Sequence, residues 1–334
     1  MKVDAATVSG QGQGPSQQIR QKDAPAEIRT GRLARGCDLT GFMIAGQGFP
    51  RRELAAGLYV VATPIGNLGD ITIRALETLS SVDLVACEDT RVTAKLLQRY
   101  AIDTRMIAYH EHNADKAGAK ILEQLQAGAR IALVSDAGTP LVSDPGYRLV
   151  RDARALAIPV IAIPGASSPL AALAASGLPA ETFLFAGFLP SRDGARRSRL
   201  AELSRIPATL LFFESPNRIA SSLVAIASEL GSDRHIAICR ELTKLHEEVV
   251  EGTAAELAAR YDGLSVKGEI VIVVAPPAIG GDSIDPRALL AELLTTMSVS
   301  RAASEAAKLT GIPKRELYAQ ALEISGAAPR HDGE

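Results

Sequence analysis

The sequence predicts two α/β domains followed by a small C-terminal helical segment, with a mainly parallel sheet in the first domain and a mixed sheet in the second. In the first domain, short β-branched stretches alternate with amphipathic stretches. In the second domain, only three helical stretches lie between five strand-like stretches, and the C-terminal segment has a purely helical pattern. Alternation of strand and helix is typical of a parallel sheet that is covered by helices. The predicted limits are residues 57–178, 179–278 and 283–326.

Residues 1–56 differ in composition from the rest of the chain. They contain the segment SGQGQGPSQQ and an arginine-rich stretch, which offer little apolar surface for a core. We therefore expect a disordered N-terminal extension, with order beginning at Leu58. Gly10, Gly12 and Gly14 do not match a dinucleotide-binding fingerprint, because no strand pattern precedes them and no helix pattern follows.

The first domain is predicted to contain five strands with helices between them. The strands are residues 58–64, 82–88, 105–110, 130–136 and 159–165, and the helices are residues 70–79, 90–100, 114–126 and 146–157. In an open parallel sheet, ligands bind at the carboxyl ends of the strands. The loops TPIGNLGD, CEDTR, YHEHN, SDAGTPLVSDPG and PGASS follow the five strands in order, so together they predict a binding site at one sheet edge.

The second domain is predicted to have a mixed sheet. Its strands are residues 182–190, 208–216, 235–242, 246–253 and 268–276. Because only three helical segments lie between these five strands, we expect at least one hairpin, across Thr243–His246. The remaining segment, Asp285–Ile324, shows the pattern of a helix, a short turn and a helix. A helix-turn-helix unit and a small helical cap share this pattern, and we favour the cap.

Composition limits the class of protein. The chain has 334 residues, a net charge of −2 and three scattered cysteines, Cys37, Cys87 and Cys239, whose spacing argues against a disulfide framework or a cysteine-based metal site. No apolar run approaches the roughly 20 residues of a membrane helix, and the first residues lack the apolar core of a secretory signal. We expect a cytoplasmic protein without a membrane span. No ligand-spaced cluster of His, Asp or Cys predicts a metal.

The loop within LVSDAGTPLVSDPGYRLV, residues 133–150, is the most unusual of the five. Gly138 and Gly146 permit backbone angles or close approaches that other residues do not, and Pro140 and Pro145 stiffen the loop. The segment TPIGNLGD lacks the Lys-Ser/Thr pair of a phosphate cradle, and its glycine spacing does not fit a nicotinamide site. These observations favour a neutral or cationic ligand held by backbone groups, carboxylates and hydroxyls, a description that suits S-adenosylmethionine.

Several stretches together resemble one known family. LYVVATPIGNLGDITIRALETL, ACEDTRVTAKLL, YHEHN, LVSDAGTPLVSDPG, IPGASSPLAALAASGLP, FAGFLP and FFESPNRI are similar to the ribosomal RNA small subunit methyltransferase I family, of the tetrapyrrole (corrin/porphyrin) methylase superfamily. The resemblance extends from Leu58 to Pro276. It implies a homodimer of two-domain subunits of the class III methyltransferase type, with S-adenosylmethionine in the cleft between the domains. It also implies 2′-O-methylation of a cytidine ribose in the decoding region of 16S rRNA, in the small ribosomal subunit.

The same resemblance implies which residues contact the cofactor. The motif positions are Pro64, Gly66, Asp136, Ala137, Gly138, Thr139, Ala166 and Ser167 in the first domain, and Glu214 with Arg218 on the opposite wall of the cleft. For Glu214 and Arg218 a second interpretation competes, because residues four apart can simply pair with each other on one helix.

Methylation of a ribose hydroxyl requires alignment and removal of a proton. The candidate bases are Asp89, in CEDTR, and the group His110, Glu111 and His112, in YHEHN. Asp89 has a competing interpretation as the N-cap of the following helix. The residues by themselves do not choose among these bases.

An RNA substrate also requires positive charge near the cleft. Arg91 or Lys95 could hold a phosphate there. The segment 191–205 could do so through Arg192, Arg196, Arg197, Arg199 and Arg205, although it could equally be a solvated helix face. Aromatic residues make up only 4% of the chain, so extensive base stacking is not expected to be the main mode of recognition. The alternatives to rRNA methylation are methylation of a tetrapyrrole or another small molecule on the same fold, and a non-catalytic role in RNA binding or ribosome assembly.

Overall fold

The computed structural model describes residues 41–141, 146–277, 286–310 and 312–325. The strands of the N-terminal hairpin and of the first sheet are β1 (Phe42–Ile44), β2 (Gln47–Phe49), β3 (Gly57–Val61), β4 (Leu84–Cys87), β5 (Met106–Ala108), β6 (Arg130–Val134) and β7 (Val160–Ile163). The helices of this part are α1 (Ile73–Ser81), α2 (Thr90–Arg99), α3 (Ala114–Gln126), α4 (Tyr147–Ala155) and α5 (Ser168–Ala175).

The first domain is built on a five-stranded parallel sheet in the order β5-β4-β6-β3-β7, as predicted. Alternate residues of β3 enter two different cores: Tyr59 and Val61 pack on one face of the sheet, and Leu58 packs on the other. This follows from the two-residue period of a strand whose faces are both covered by helices. The carboxyl ends of all five strands therefore lie along one edge.

A short hairpin precedes this sheet and corrects the prediction that disorder extends through residue 56. Strands β1 and β2 pair antiparallel around Ala45 and Gly46, whose φ angles of 50° and 84° suit a tight hairpin turn. Phe42 is buried in the core of the first domain and stacks on Phe49 at a ring-centroid distance of 5.1 Å. Strands of three residues are too short for periodicity to reveal. The predictions for residues 1–40, including the glycine run and Cys37, lie outside the described residues.

The second domain contains a mixed sheet, as predicted. Its strands are β8 (Phe183–Phe188), β9 (Thr209–Glu214), β10 (His235–Arg240), β11 (Glu248–Thr253) and β12 (Ile270–Val274), with helices α6 (Asp193–Leu203), α7 (Ile219–Leu230) and α8 (Ala254–Tyr261). In the order β11-β10-β12-β9-β8, only β8 and β9 run parallel. The hairpin predicted across Thr243–His246 is the antiparallel pair β10–β11. Its loop faces the first domain, where Lys244 packs against Gly66.

The C-terminal segment has a small core of its own. It consists of α9 (Pro286–Leu294), α10 (Val299–Thr310) and α11 (Lys314–Ser325). The buried residues of this core all come from these helices: Leu290, Ala302, Ala303, Ala306, Leu317 and Ala321. Alanines at the contacts allow the helices to pack closely. In the part of the chain that the structure describes, no helix is long and apolar enough to cross a membrane.

Candidate functional site

A cavity of about 410 Å³ lies where the carboxyl edge of the first sheet meets the second domain. The first domain contributes Ile65, Asp136, Ala137, Gly138, Thr139, Ser167, Ser168 and Pro169. The second domain contributes Phe188, Phe213, Glu214, Ser215, Pro216, Cys239, Leu242, Gly268, Glu269, Ile270 and Val271. This volume falls in the range of small-molecule and cofactor sites.

Hydrogen bonds tie the loops after β3, β6 and β7 into one wall of the cavity. Thr63 and Gly138 exchange two backbone hydrogen bonds, of 2.8 and 3.0 Å. The Thr139 hydroxyl donates to the carbonyl of Ala166 at 3.1 Å. Gly138 has a φ of 78°, and a Cβ there would stand 3.2 Å from Cγ2 of Ile65, so the position requires glycine. The predictions for Pro145 and for the second Ser-Asp pair lie outside the described residues.

The described wall of the cavity offers no basic side chain to a phosphate. Among the described residues that line the cavity, Asp136, Glu214 and Glu269 are acidic and none is basic. Asp136 accepts a hydrogen bond from the backbone N–H of Asp89 at 3.0 Å, which joins the loops after β4 and β6. Glu214 and Glu269 are paired with Arg218 and Lys244, so their charges are largely balanced. Because its described lining holds no basic residue but carries the hydroxyls of Thr139 and Ser167, the wall suits a neutral or cationic ligand better than a phosphate.

Glu214 is engaged entirely within the chain. Its side chain is fully buried, and Arg218 approaches its Oε1 with Nη2 at 2.6 Å and with Nε at 2.8 Å. The backbone N–H of Ser215 donates to the same oxygen at 2.7 Å, and the Ser222 hydroxyl donates to Oε2 at 2.5 Å. The pair joins the end of β9 to the start of α7, rather than lying on one helix. These contacts favour a structural role for Glu214.

The remaining predicted cofactor residues divide into two groups. Asp136, Ala137, Gly138, Thr139 and Ser167 line the cavity. Pro64, Gly66 and Ala166 instead support it. Pro64 is buried next to Ile65 in the chain, the Ala166 carbonyl accepts the Thr139 hydrogen bond, and a Cβ on Gly66 would meet Cγ of Lys244 at 2.6 Å.

Sequence reasoning missed most of the cavity wall of the second domain. Leu242 follows β10, and Gly268 and Glu269 precede β12. Glu241 and Thr243 flank Leu242 with φ angles of 51° and 66°. Left-handed residues other than glycine are uncommon, and sequence alone does not reveal them.

The contacts of Asp89 favour its interpretation as a helix cap. Its carboxylate accepts from the backbone N–H of Arg91 at 2.8 Å and pairs with the Arg91 guanidinium at 2.6 Å. Hydrogen bonds from Arg91 lower the pKa of Asp89 to about 2. A general base works best with a pKa near the working pH, so these contacts weaken the prediction that Asp89 removes a proton.

The other three candidate bases lie farther along the sheet edge. Strand β4 separates β5 from β6, so the loop of His110, Glu111 and His112 is about 10 Å, or two strand spacings, from the end of β6. Asn113 fixes this loop by accepting from the His110 N–H at 2.9 Å. Within the described part of the chain, Nδ1 of His110 is buried without a hydrogen-bond partner.

The arginine-rich helix α6 is largely occupied by ion pairs, which corrects part of its predicted role. Arg196 is only 4% exposed and pairs with Asp193 at 2.9 Å. A guanidinium that is buried and paired in this way is poorly placed to reach an RNA phosphate, which weakens the prediction for Arg196. Arg197 pairs with Asp193 and Glu229, and Arg199 pairs with Glu202. Arg192 is exposed at the start of the helix.

Helix α2 presents a better basic surface, here called the α2 basic face. Arg91, Lys95 and Arg99 are exposed at intervals of four residues, so they share one side of the helix. No residue within α2 is acidic, although Arg91 is paired with the N-cap residue Asp89, so Lys95 and Arg99 are the main cations of this face. The helix begins beside Asp89, whose backbone is bonded to Asp136 of the cavity wall. Arg91 and Lys95 were predicted from the sequence, whereas Arg99 was missed.

Comparisons with known proteins agree with this architecture. A family model described as Tetrapyrrole (Corrin/Porphyrin) Methylases matches residues 57–258, and one described as RsmI C-terminal HTH domain matches residues 280–325. Among solved structures, a cobalt precorrin-4 methyltransferase of cobalamin biosynthesis aligns with a TM-score of 0.52 at 16% identity, over 65% of this chain and 94% of its own. A diphthine synthase aligns with a TM-score of 0.53 at 18% identity, over 65% and 89%. At these identities the structures show the fold alone.

Curated relatives are much closer in sequence. The ribosomal RNA small subunit methyltransferase I of Mesorhizobium japonicum is 55% identical over 87% of this chain and its own full length. Its counterpart in Pseudomonas aeruginosa is 45% identical, over 81% of this chain and 99% of its own.

The first family model covers more than half of the chain, so the fold and its cavity define a methyltransferase of the tetrapyrrole methylase class. Within that class, the chain belongs to the ribosomal RNA small subunit methyltransferase I family. The second family model also corrects our preference for a helical cap: the segment with its own core matches a helix-turn-helix domain.

Proposed function

We propose that this protein transfers the methyl group of S-adenosylmethionine to the 2′-hydroxyl of a cytidine ribose in the decoding region of 16S rRNA. The observation that carries the proposal is the interdomain cavity with an acidic and hydroxyl-bearing wall, in a chain whose relatives are named as methyltransferases of small-subunit rRNA. The bound cofactor supplies a methyl group on a positively charged sulfur. A wall with carboxylates and without lysine or arginine among its described residues is compatible with that charge.

The chain's own residues would bind and orient both reactants. Asp136, Thr139 and Ser167 supply polar contacts for the cofactor, while Ile65, Leu242 and other apolar residues exclude water. Exclusion of water strengthens each polar contact and prevents loss of the methyl group to solvent.

Removal of the hydroxyl proton is best assigned to the loop after β5. Asp89 is committed to Arg91, which leaves His110, Glu111 and His112 as the remaining candidates. For His110 to act, the ribose must lie over the carboxyl ends of β4 and β5. The α2 basic face begins at the same edge of the sheet, where its cations would hold the neighbouring phosphates. Glu111 and His112 are the alternatives in this loop.

One experiment tests the function directly. Purified protein and labelled S-adenosylmethionine are offered naked 16S rRNA, assembled small subunits and a porphyrinogen in parallel, and the methylated nucleoside is identified by mass spectrometry. The proposal requires 2′-O-methylcytidine from at least one RNA substrate. Methylation of the porphyrinogen alone, or cofactor binding without transfer to any substrate, would contradict it. Light scattering of the same preparation tests the homodimer that the family resemblance implies.

A further inference from the structure

A small aromatic cluster lies at the cavity. Three of its seven phenylalanines, Phe185, Phe188 and Phe213, form one cluster. The ring of Phe213 lies 4.8 Å from that of Phe185 and 5.3 Å from that of Phe188, measured between centroids. Phe188 and Phe213 both line the cavity. A chain that is poor in aromatic residues therefore has an aromatic surface at its functional site.

A β-bulge directs Phe188 to this side of the sheet. Phe185 is opposite Leu211, and Phe188 is opposite Phe213, so β8 advances three residues while β9 advances two. In a regular strand, residues three apart point to opposite faces, whereas one inserted residue returns Phe188 to the face of Phe185. Gly187 has a φ of 68°, a conformation that glycine adopts without strain.

Phe188 is also more exposed than the other aromatic residue of the wall. It is 56% exposed and yet lines the cavity, which places it at the opening. Phe213 is only partly exposed and backs the Phe188 ring. The packed ring beneath Phe188 limits its movement, so its outer face is held ready for a planar ligand.

We propose that Phe188 is the platform on which the base of the target nucleotide stacks at the cavity opening. The inference rests on the proposed function. Taking the target nucleotide out of its stack in folded RNA costs a few kcal/mol. Stacking on an aromatic ring at the cavity opening offsets part of this cost. Phe188 acts as a positioning residue for the substrate, remote from proton removal.

A fluorescence experiment tests the contact itself. The chain contains no tryptophan, so Phe188→Trp introduces a single indole at the cavity opening. Phe183→Trp is the matched control, because Phe183 lies on the same strand, is 43% exposed and does not line the cavity. We expect a cytidine-containing single-stranded oligoribonucleotide to quench the Phe188→Trp protein and to leave the control unchanged. Equal quenching of both variants, quenching of neither, or quenching of Phe188→Trp by S-adenosylhomocysteine alone would overturn the proposal.

Affinities provide the second test. Phe188→Leu keeps an apolar side chain but removes the aromatic face, so the Kd for RNA should rise about 5- to 150-fold, the range for one stacked base. The Kd for S-adenosylmethionine should not change, and Phe188→Tyr should restore RNA affinity. Phe183→Leu is the control. A loss of cofactor affinity would place Phe188 in the cofactor site, and a change of molar mass in light scattering would place it between subunits, and either result refutes the inference. Failure of wild-type protein to methylate RNA counts separately, against the proposed function.

Discussion

Replacement of Glu214 by glutamine tests whether its carboxylate has a structural role or binds the cofactor. Glutamine has nearly the same shape, so the two Arg218 contacts and the Ser215 N–H can still reach its amide oxygen, and the Ser222 hydroxyl can rotate to accept from the amide nitrogen. The substitution removes the negative charge of this side chain. A hydrogen bond to a charged group contributes about 1 kcal/mol more than a neutral one, and Glu214 accepts four from partners in the chain. We expect the free energy of unfolding to fall by about 2–4 kcal/mol.

The assay is urea unfolding followed by circular dichroism, combined with calorimetric titration of S-adenosylmethionine. The matched control is Glu248→Gln, which removes the same charge from a partly exposed pair with Arg240 and should cost at most about 1 kcal/mol. Because the Glu214 oxygens are occupied within the chain, the Kd for the cofactor should change less than about twofold. A tenfold loss of cofactor affinity with unchanged stability would show that Glu214 contacts the cofactor and would refute this reasoning.

Three further predictions concern the loops and the α2 basic face. Gly138→Val forces a β-branched residue into a left-handed conformation beside Ile65, which should cost about 1–2 kcal/mol of stability and abolish cofactor binding in calorimetry; unchanged affinity in a folded variant would remove this loop from the site. Asp89→Asn keeps the helix cap and should lower single-turnover methylation less than about tenfold, whereas loss of a general base costs about 10²–10⁴-fold. Lys95→Gln should make the slope of log Kobs for RNA binding against log salt concentration less steep by about 0.7–0.9, as expected for one lost phosphate contact. The control Arg199→Gln should leave this slope unchanged.

The pH dependence of the Asp89 cap has a definite sign. Hydrogen bonds from Arg91 lower the pKa of Asp89 to about 2, below the value of about 3.9 in an unfolded chain. The ionised cap therefore contributes its full stability above about pH 4 and loses it as the pH falls towards 2. Acid titration of wild type and Asp89→Asn should converge in that interval. Parallel acid titration curves would contradict the assignment of Asp89 as an ionised cap.

The sequence by itself predicted both sheets and the sheet edge at which the cavity lies. Helix α3 was predicted with its observed limits, Ala114–Gln126, and the parallel sheet followed from the alternation of strands and helices. The excess of strands over helices predicted the hairpin β10–β11. These features depend on local periodicity and turn chemistry, which a sequence displays directly. The loop of Gly138, which lines the cavity, was singled out for the same reason, because glycine and proline mark unusual backbone wherever they occur.

Only the tertiary structure decided which of the candidate side chains are available to a ligand. Arg196 and Lys95 are both basic residues on amphipathic helices, yet one is buried against an aspartate and the other is exposed. Glu214 lines the cavity, but its oxygens are bonded to groups in the following helix. Phe188 would face away from Phe213 without one inserted residue in β8. Burial, pairing and strand register depend on contacts between residues that are distant in sequence, and a register change of one residue moves a side chain to the other face of a sheet.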